Sequence, residues 1–456
     1  MSRPLYDAIV EFNKKEKCSL HMPSHNGLGD GSALFASAQF DKTELEGLDN
    51  LLASDGVICQ SEKLFARDYK CQESLLLTEG STVGNQIVVN VLREFCKEII
   101  LIGDNHKSVW NACALWRVDC KYFATVEQFE KSVVSQKSVV SQKSVVSQKS
   151  GVSQKSDNQS EKIQNERCVF VTSPDYFGNC VDIASLSQFC KNNGFLLAVD
   201  SAHGAHFPYS DLLPDSPCQF ADISVCSLHK TMASYGGGAV LNVTNSRLVP
   251  YAYYYRQVIH STSPNYLVMA SADYSRDLWE KNGEKYYREI KEMRENFVAN
   301  LSSKFFVEKS DDLSRLVVAG ENMDGRKAQE ELGKLGVFVE MASGNKLVSI
   351  LTPFNADKLE LFSQALSKIE ICPIDTRERE FAPLQLAQAE KIGDKLRFVT
   401  IDQAVGKVSA NEVGIYPPGI PLARRGDIFD QKTIKIIKDF QSCIFGLVKG
   451  FVIVLE

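Results

Sequence analysis

Short apolar runs alternate with stretches of helical periodicity from residue 83 to residue 226. Two stretches have helical spacing, Val83–Phe95 and Ile183–Asn192. The apolar runs that predict strands are Glu98–Ile102, Cys168–Val171, Phe195–Val199 and Ile223–Cys226. Such alternation is typical of an α/β domain that is built around a mostly parallel sheet.

A tract of low complexity interrupts this pattern. From Lys131 to Gln154 the chain repeats Lys-Ser-Val-Val-Ser-Gln three times and then reads Lys-Ser-Gly-Val-Ser-Gln, and polar residues follow it to Glu166. A hexapeptide solenoid needs more turns and more apolar positions than this tract offers. We therefore interpret residues 131–166 as a surface insertion that function does not require.

The carboxyl-terminal half predicts a smaller α/β domain, with strands that include Leu347–Leu351 and Leu396–Thr400. The predicted organisation is an amino-terminal segment over residues 1–60, a major domain over 61–264 and a smaller domain over 265–456. A chain of 456 residues is long enough for such a division.

Composition narrows the class of protein. The net charge of -6 gives no reason to expect binding to nucleic acid or to a membrane surface. No apolar run reaches transmembrane length, and no signal-peptide core follows Met1–Pro4. The 13 cysteines are scattered without Cys-x-x-Cys pairs, which favours reduced thiols in the cytoplasm over disulfides or a zinc site.

Polar residues follow three of the predicted strands, at Asp104–His106, Asp200–His203 and Ser227–Lys230. In open α/β sheets the ligand lies at the carboxyl ends of the strands. Six of the seven histidines fall in clusters rich in Gly, Ser, Asp or Pro, which favours a polar site. We therefore expect a small-molecule site at this edge of the sheet.

Each cluster has a chemical interpretation and a plainer one. Lys230 is a candidate Schiff-base former for pyridoxal phosphate, or it lies in a solvated loop. Asp200 ends an apolar strand, where it pairs either with a protonated pyridine nitrogen or with a structural cation. His106 either lies against an aromatic cofactor or caps the following helix.

Two further clusters allow the same comparison. Thr78–Thr82 precedes a helix and offers backbone N–H groups and hydroxyls to a phosphate, or simply caps that helix. Asp200, His203 and His206 resemble a metal cluster, but no clear third ligand follows the two histidines, which disfavours a metal site.

The motifs taken together resemble one family. They are His21–Gly27, Thr78–Gln86, His106–Ser108, Asp200–Phe207, Ser227–Thr231, Ser261–Tyr266, Met269–Ser271 and Tyr416–Pro421. Over nearly its whole length the chain resembles the Orn/Lys/Arg decarboxylases, pyridoxal-phosphate enzymes of the aspartate aminotransferase fold type I. The Ser261 and Tyr416 segments are the more particular to this family.

The resemblance implies a fold-type-I transferase architecture, with a large mostly parallel-sheet domain that binds the cofactor and a smaller carboxyl-terminal α/β domain. It implies decarboxylation of lysine, arginine or ornithine to a di- or polyamine and CO2, in cytoplasmic polyamine biosynthesis, by a homodimer or larger assembly that needs no metal.

The resemblance also assigns roles to individual residues. Lys230 would hold the cofactor covalently, His106 would stack on its ring, and Asp200 would keep its nitrogen protonated. The other cofactor-binding residues that it implies are Ser81, Thr82, His203, Ser227, His229 and Thr262, the last of which reaches the neighbouring subunit's cofactor.

Some positions depart from the family pattern. Ser24 stands where glycine is usual, Ser201 where glutamate is frequent, and Arg425-Gly426-Asp427 where Pro-Gly-Glu is usual. These departures bear on the substrate and leave Lys230 and Asp200 in place. Asp55 is one candidate for an acidic substrate pocket, and a turn carboxylate is its plainer interpretation.

Two other functions stay open at this stage. One is a different reaction on the same fold: an aminotransferase, for which Arg397 or Arg424 would bind the substrate α-carboxylate, or a cysteine desulfurase, for which no cysteine has a recognisable loop setting. The other is a non-catalytic cofactor-binding regulator, against which the retention of Lys230 and Asp200 argues.

Overall fold

The structure is a computed structural model that describes residues 2–15, 36–135, 166–370, 372, 396–415 and 420–455. The His21–Gly27 motif, residues 136–165 of the insertion and residues 416–419 of the Tyr416 motif lie outside the described residues.

The helices follow the predicted periodicity where one was predicted. The helical bounds are α1 (Pro4–Lys15), α2 (Val57–Asp68), α3 (Gly80–Arg93), α4 (Lys107–Leu115), α5 (Ile183–Asn193), α6 (Leu228–Thr231), α7 (Val249–Ile259), α8 (Tyr266–Ala299), α9 (Gly325–Lys334), α10 (Leu359–Lys368) and α11 (Gln431–Asp439).

The strands confirm the predicted apolar runs to within about one residue at each end. Their bounds are β1 (Glu73–Leu77), β2 (Glu98–Ile102), β3 (Asp119–Phe123), β4 (Arg167–Thr172), β5 (Phe195–Asp200), β6 (Ile223–Ser227), β7 (Ala239–Val243), β8 (Phe305–Val307), β9 (Arg315–Gly320), β10 (Met341–Ser343), β11 (Lys346–Ile350), β12 (Leu396–Thr400), β13 (Val413–Ile415), β14 (Ile420–Ala423), β15 (Ile444–Phe445) and β16 (Phe451–Leu455).

The first seven strands form one sheet in the order β1-β7-β6-β5-β4-β2-β3. β2 pairs in parallel with β3 and with β4, whereas β7 is antiparallel to β1 and to β6. β5, β6 and β7 are buried along their whole length, as strands are when both faces of a sheet are covered. The expected α/β fold with a large, mostly parallel sheet is confirmed.

The chain divides into two compact units that interleave along the sequence. One comprises Met1–Val88, Ser173–Ile183 and Val199–Ala382, and the other comprises Val89–Thr172, Ala184–Ala198 and Pro383–Glu456. The predicted segment boundaries at residues 60 and 264 stay predictions.

The first unit has its core around the 34-residue helix α8, whose Trp279, Tyr287 and Ile290 are fully buried. Leu316 of β9 and Leu347 of β11 belong to the same core. β8 to β11 form a four-stranded antiparallel sheet in the order β10-β11-β9-β8.

The second unit has its own core, which includes Val399, Val413, Phe429 and Val452. In this unit β12 pairs with β16, and β13 lies between β14 and β15. None of the helices in the described ranges is long and apolar enough to cross a membrane.

The repeat tract begins inside a helix. Residues 126–135 are helical, and Phe129 and Val133 are both buried. Side chains four residues apart lie on the same face of a helix, so Val133, the first valine of the repeat, continues an apolar face that starts at Phe129. Residues 131–135 of the predicted insertion therefore continue a helix of the domain, and Val133 is buried there.

Candidate active site

Lys230 lies in the one-turn helix α6, directly after β6 ends at Ser227. Burial lowers the pKa of its ammonium group, and the Arg315 guanidinium lowers it further, against the opposing charges of Asp200 and Glu340. A lowered pKa raises the fraction of neutral amine, which is the nucleophilic form of a lysine.

Asp200 is the last residue of β5, and its side chain is 2% exposed. The Asn85 amide of α3 donates to its Oδ2 at 2.9 Å, and the backbone N–H of Ala202 donates to its Oδ1 at 3.0 Å. These two donors hold the carboxylate in one orientation.

The ends of β5 and β6 are joined by backbone hydrogen bonds. Ser201 N–H donates to the Val225 carbonyl at 2.9 Å, and Ser227 N–H donates to the Ala202 carbonyl at 3.4 Å. Two of the three strand-end clusters are thus brought together, and the charge of Asp200 acts on Lys230.

The Thr78–Thr82 turn leads into α3 through Gly80, whose φ of +76° favours glycine. Gly80 N–H donates to the Gly237 carbonyl at 2.8 Å, and Ser227 Oγ donates to Ser81 Oγ at 2.7 Å. Ser81 and Ser227 therefore lie together at the amino end of α3, where an anion is favoured.

Two residues from later in the chain, His260 and Asn265, make hydrogen bonds to Thr78 of this turn. The backbone N–H of Thr78 donates to His260 Nε2 at 3.1 Å, and Asn265 N–H donates to Thr78 Oγ1 at 3.4 Å. The segment that contains the Ser261 motif is thereby attached to the turn.

His203 lies against Lys230, with 3.3 Å between its Nε2 and Lys230 Nζ. The Tyr176 ring is 4.4 Å from the His203 ring, centroid to centroid, and 5.8 Å from Lys230 Nζ. On its other side, His203 Nδ1 is 2.6 Å from a guanidinium nitrogen of Arg315.

Arg315 is part of a buried charged group. His206 Nε2 and Asp312 Oδ1 are 3.0 Å apart, and Asp312 Oδ2 lies 3.9 Å from Arg315. Burial raises the pKa of Asp312, but the charge and hydrogen bond of His206 and the charge of Arg315 outweigh it and bring that pKa down to about 2.

The remaining predicted site residues have these positions. His106 caps α4, because its Nδ1 accepts from Ser108 N–H at 3.2 Å. The capping interpretation is confirmed, and stacking on a cofactor ring stays a prediction.

His229 Nδ1 lies 2.9 Å from the Gly238 carbonyl, and burial lowers the pKa of its imidazole. Thr82 and Thr262 are exposed.

The substrate candidates from the sequence are spread over the chain. Asp55 is exposed in the turn before α2. Arg397 is exposed on β12, and the Arg424 guanidinium lies 3.9 Å from the Trp110 ring centroid and 5.0 Å from that of Tyr122. The described residues contain no group of three His, Cys, Asp or Glu side chains that could hold a metal ion.

Sequence reasoning missed Arg315, Asp312 and Tyr176. Arg315 opens the otherwise apolar run of β9, and a charge on a buried strand is a signal of a partner. Tyr176 follows β4, so it comes from a fourth strand end of the main sheet.

The lowered pKa of Asp312 predicts how the free energy of unfolding depends on pH. The Asp312 pKa is about 2 in the folded protein against an ordinary 3.8, so its stabilisation is complete above pH 3.8 and is lost as the pH falls towards 2. We expect Asp312→Asn to lower the free energy of unfolding by roughly 3 kcal/mol at pH 7. We also expect a smaller loss of stability between pH 5 and pH 3 than in the unmodified protein.

Urea unfolding at pH 7, 5 and 3 checks this prediction, with Asp211→Asn as a control because Asp211 is exposed. Equal losses of stability between pH 5 and pH 3 in Asp312→Asn and the unmodified protein would count against it.

The chain is similar to known proteins over most of its length. A family model described as "Orn/Lys/Arg decarboxylase, major domain" matches residues 3–346, and its "C-terminal domain" counterpart matches residues 375–445. The chain is 26% identical to the uncharacterized protein YaaO of Bacillus subtilis, over 95% of this chain and 93% of that one. It is 22% identical to an arginine decarboxylase of Bacillus anthracis, over 95% and 92%.

Among solved structures, the chain is similar to lysine decarboxylase A from Pseudomonas aeruginosa. The TM-score is 0.76 at 15% identity, and the match covers 99% of this chain and 80% of that chain. At this level of identity the likeness concerns the fold.

Proposed function

The chain belongs to the Orn/Lys/Arg decarboxylase family, and from that membership we propose that it is a pyridoxal-phosphate-dependent decarboxylase of lysine, arginine or ornithine. The observation that carries the proposal is the pairing of Lys230, with its lowered pKa, and the buried Asp200 on adjoining strand ends. A lysine with a lowered pKa near a carboxylate that is held in one orientation is typical of functional sites.

The residues present fit this cofactor. Lys230 Nζ would be the covalent attachment point, and the oriented Asp200 carboxylate would face a protonated ring nitrogen. Ser81, Ser227 and the amino end of α3 would bind the phosphate, with Thr82, His229 and Thr262 as further proposed contacts. When bound, pyridoxal phosphate supplies an electron sink for the electrons left by loss of CO2.

The protein's own contribution is orientation and proton placement. Asp200 is held by Asn85 and Ala202, so its charge stays directed at one point. His203 contacts Lys230 Nζ, and the pair is placed to hold or return a proton at that nitrogen. We propose that His106, at the start of α4, stacks on the cofactor ring. Fixed geometry of this kind selects which bond at the substrate α-carbon breaks.

The proposal includes assembly and cellular role. We propose a homodimer, which the exposed side chains of Tyr254 and Val258, one turn apart on α7, support as an apolar surface. We further propose a cytoplasmic role in polyamine biosynthesis, in which a basic amino acid gives its amine and CO2.

The test is product detection. Purified full-length protein with pyridoxal phosphate is incubated separately with lysine, arginine and ornithine, and CO2 and the corresponding amine are measured. We expect equal amounts of both from one substrate, at a kcat/KM about tenfold or more above the others, since one methylene is worth about 1–3 kcal/mol of discrimination.

A parallel incubation with 2-oxoglutarate separates decarboxylation from transamination, because only an aminotransferase forms glutamate. Glutamate without CO2 would replace the proposal with an aminotransferase. CO2 from none of the three amino acids would overturn the proposed substrate class.

A further inference from the structure

Arg315 contacts His203, the residue that lies against Lys230. It is fully buried at the start of β9, and its guanidinium lies 2.6 Å from His203 Nδ1. Gly178 packs on the arginine stem, where an added Cβ would lie 2.6 Å from Arg315 Cγ. Asp312 lies 3.9 Å from the other guanidinium nitrogen. The arginine is therefore held in place by its surroundings.

The chemistry of the pair sets the direction of the hydrogen bond. A guanidinium stays charged in proteins and carries donors only, so His203 Nδ1 must accept. An imidazole that accepts at Nδ1 carries its proton on Nε2 and is neutral. A protonated His203 would point an N–H at the guanidinium and lose this bond.

The same argument applies to the next contact. His203 Nε2 faces Lys230 Nζ at 3.3 Å. A lysine ammonium has donors and no acceptor, whereas the neutral amine has a lone pair. An Nε2–H therefore finds an acceptor in Lys230 only when Nζ is the neutral amine.

We propose that Arg315 is a positioning residue, which holds His203 as the Nε2–H tautomer and thereby keeps Lys230 Nζ as the neutral amine that attacks a carbonyl carbon. This inference rests on the proposed function for the role of the Lys230 amine in the reaction. The hydrogen-bond chain itself is a property of the protein without substrate.

Other groups act on the same nitrogen from several elements. Asp200 at the end of β5 and Glu340 before β10 favour the charged lysine, while burial and the charge of Arg315 favour the neutral one. Tyr176 packs against both His203 and Lys230. Any test must therefore separate the charge of Arg315 from its effect through His203.

The experiment measures the pH dependence of Lys230 acetylation by trace acetic anhydride in the full-length protein without added cofactor, read by peptide mass spectrometry. In the unmodified protein we expect Lys230 to react at a lower pH than exposed Lys63. In Arg315→Met we expect its midpoint to rise by about one unit, a tenfold loss of neutral amine.

A double-mutant comparison isolates His203. Phenylalanine at position 203 keeps a ring and removes both nitrogens, so in the His203→Phe background Arg315→Met should move the midpoint by less than half as much. Equal shifts in both backgrounds would mean that the arginine acts by charge alone, and no shift in either would exclude any role. Both results overturn the proposal.

A second readout keeps the inference testable if Arg315→Met folds poorly. In the unmodified protein, the 15N shifts of selectively labelled His203 should identify Nε2–H; an Nδ1–H or doubly protonated ring would overturn the proposal. Arg288→Met, at an exposed position of α8, controls for loss of an arginine. Neither readout requires CO2 release. A failure of the proposed decarboxylation therefore does not decide the role of Arg315, which these two readouts test by themselves.

Discussion

Replacement of Lys230 by alanine is expected to abolish both the visible absorbance band that forms with pyridoxal phosphate and the release of CO2. Lys230 is partly buried at the same sheet edge as Asp200, and alanine has no amine to attach the cofactor. We expect kcat to fall by at least about 10³-fold, because the loss of a covalent nucleophile is among the largest single-residue effects.

The measurement combines a cofactor titration followed by absorbance with the CO2 assay. Lys63→Ala, on the exposed face of α2, is the matched control and should keep both signals. An unchanged band in Lys230→Ala would move the attachment point to another residue. Absence of any band in the unmodified protein would contradict the cofactor assignment.

Replacement of Asp200 by asparagine is expected to reduce kcat by roughly 10²- to 10³-fold while the visible band is retained. Asparagine keeps the shape of the side chain but removes the charge that would hold a ring nitrogen protonated. The buried setting, with donors from Asn85 and Ala202, makes that charge specific in its direction. The cofactor then binds but is a weaker electron sink.

The comparison of kcat with cofactor affinity distinguishes this role from a structural one. Asp211→Asn, at an exposed position, should change neither quantity. If Asp200→Asn lost cofactor binding and thermal stability together, the carboxylate would be structural. An unchanged kcat would remove Asp200 from the proposed mechanism.

The alternation of apolar and helical segments predicted four of the seven strands of the main sheet, β2, β4, β5 and β6, and it did not predict β1, β3 and β7. β5, for example, is apolar at every position before Asp200, and such a run is stable only when both faces are covered. The same pattern places Asp200 and Lys230 at carboxyl strand ends, and the backbone bonds between β5 and β6 bear out that proximity.

The repeat tract shows where pattern reasoning reached its limit. Its six-residue period has no match to helix or strand, yet Val133 is buried on a helix that begins before the repeat. Val133 is buried because it lies on the same helix face as Phe129, four residues earlier. The six-residue period of the repeat contains no information about the residues that precede it.

The sequence by itself determined the α/β class, the family and the identity of the strand-end residues, because these depend on local periodicity and on motifs that are contiguous in the chain. Only the tertiary structure decided which groups act on Lys230. His203 lies 27 positions away in sequence, and Arg315 lies 112 positions beyond His203. Hydrogen-bond direction and pKa follow from distances between such remote residues and from their burial, and neither quantity is present in a linear pattern.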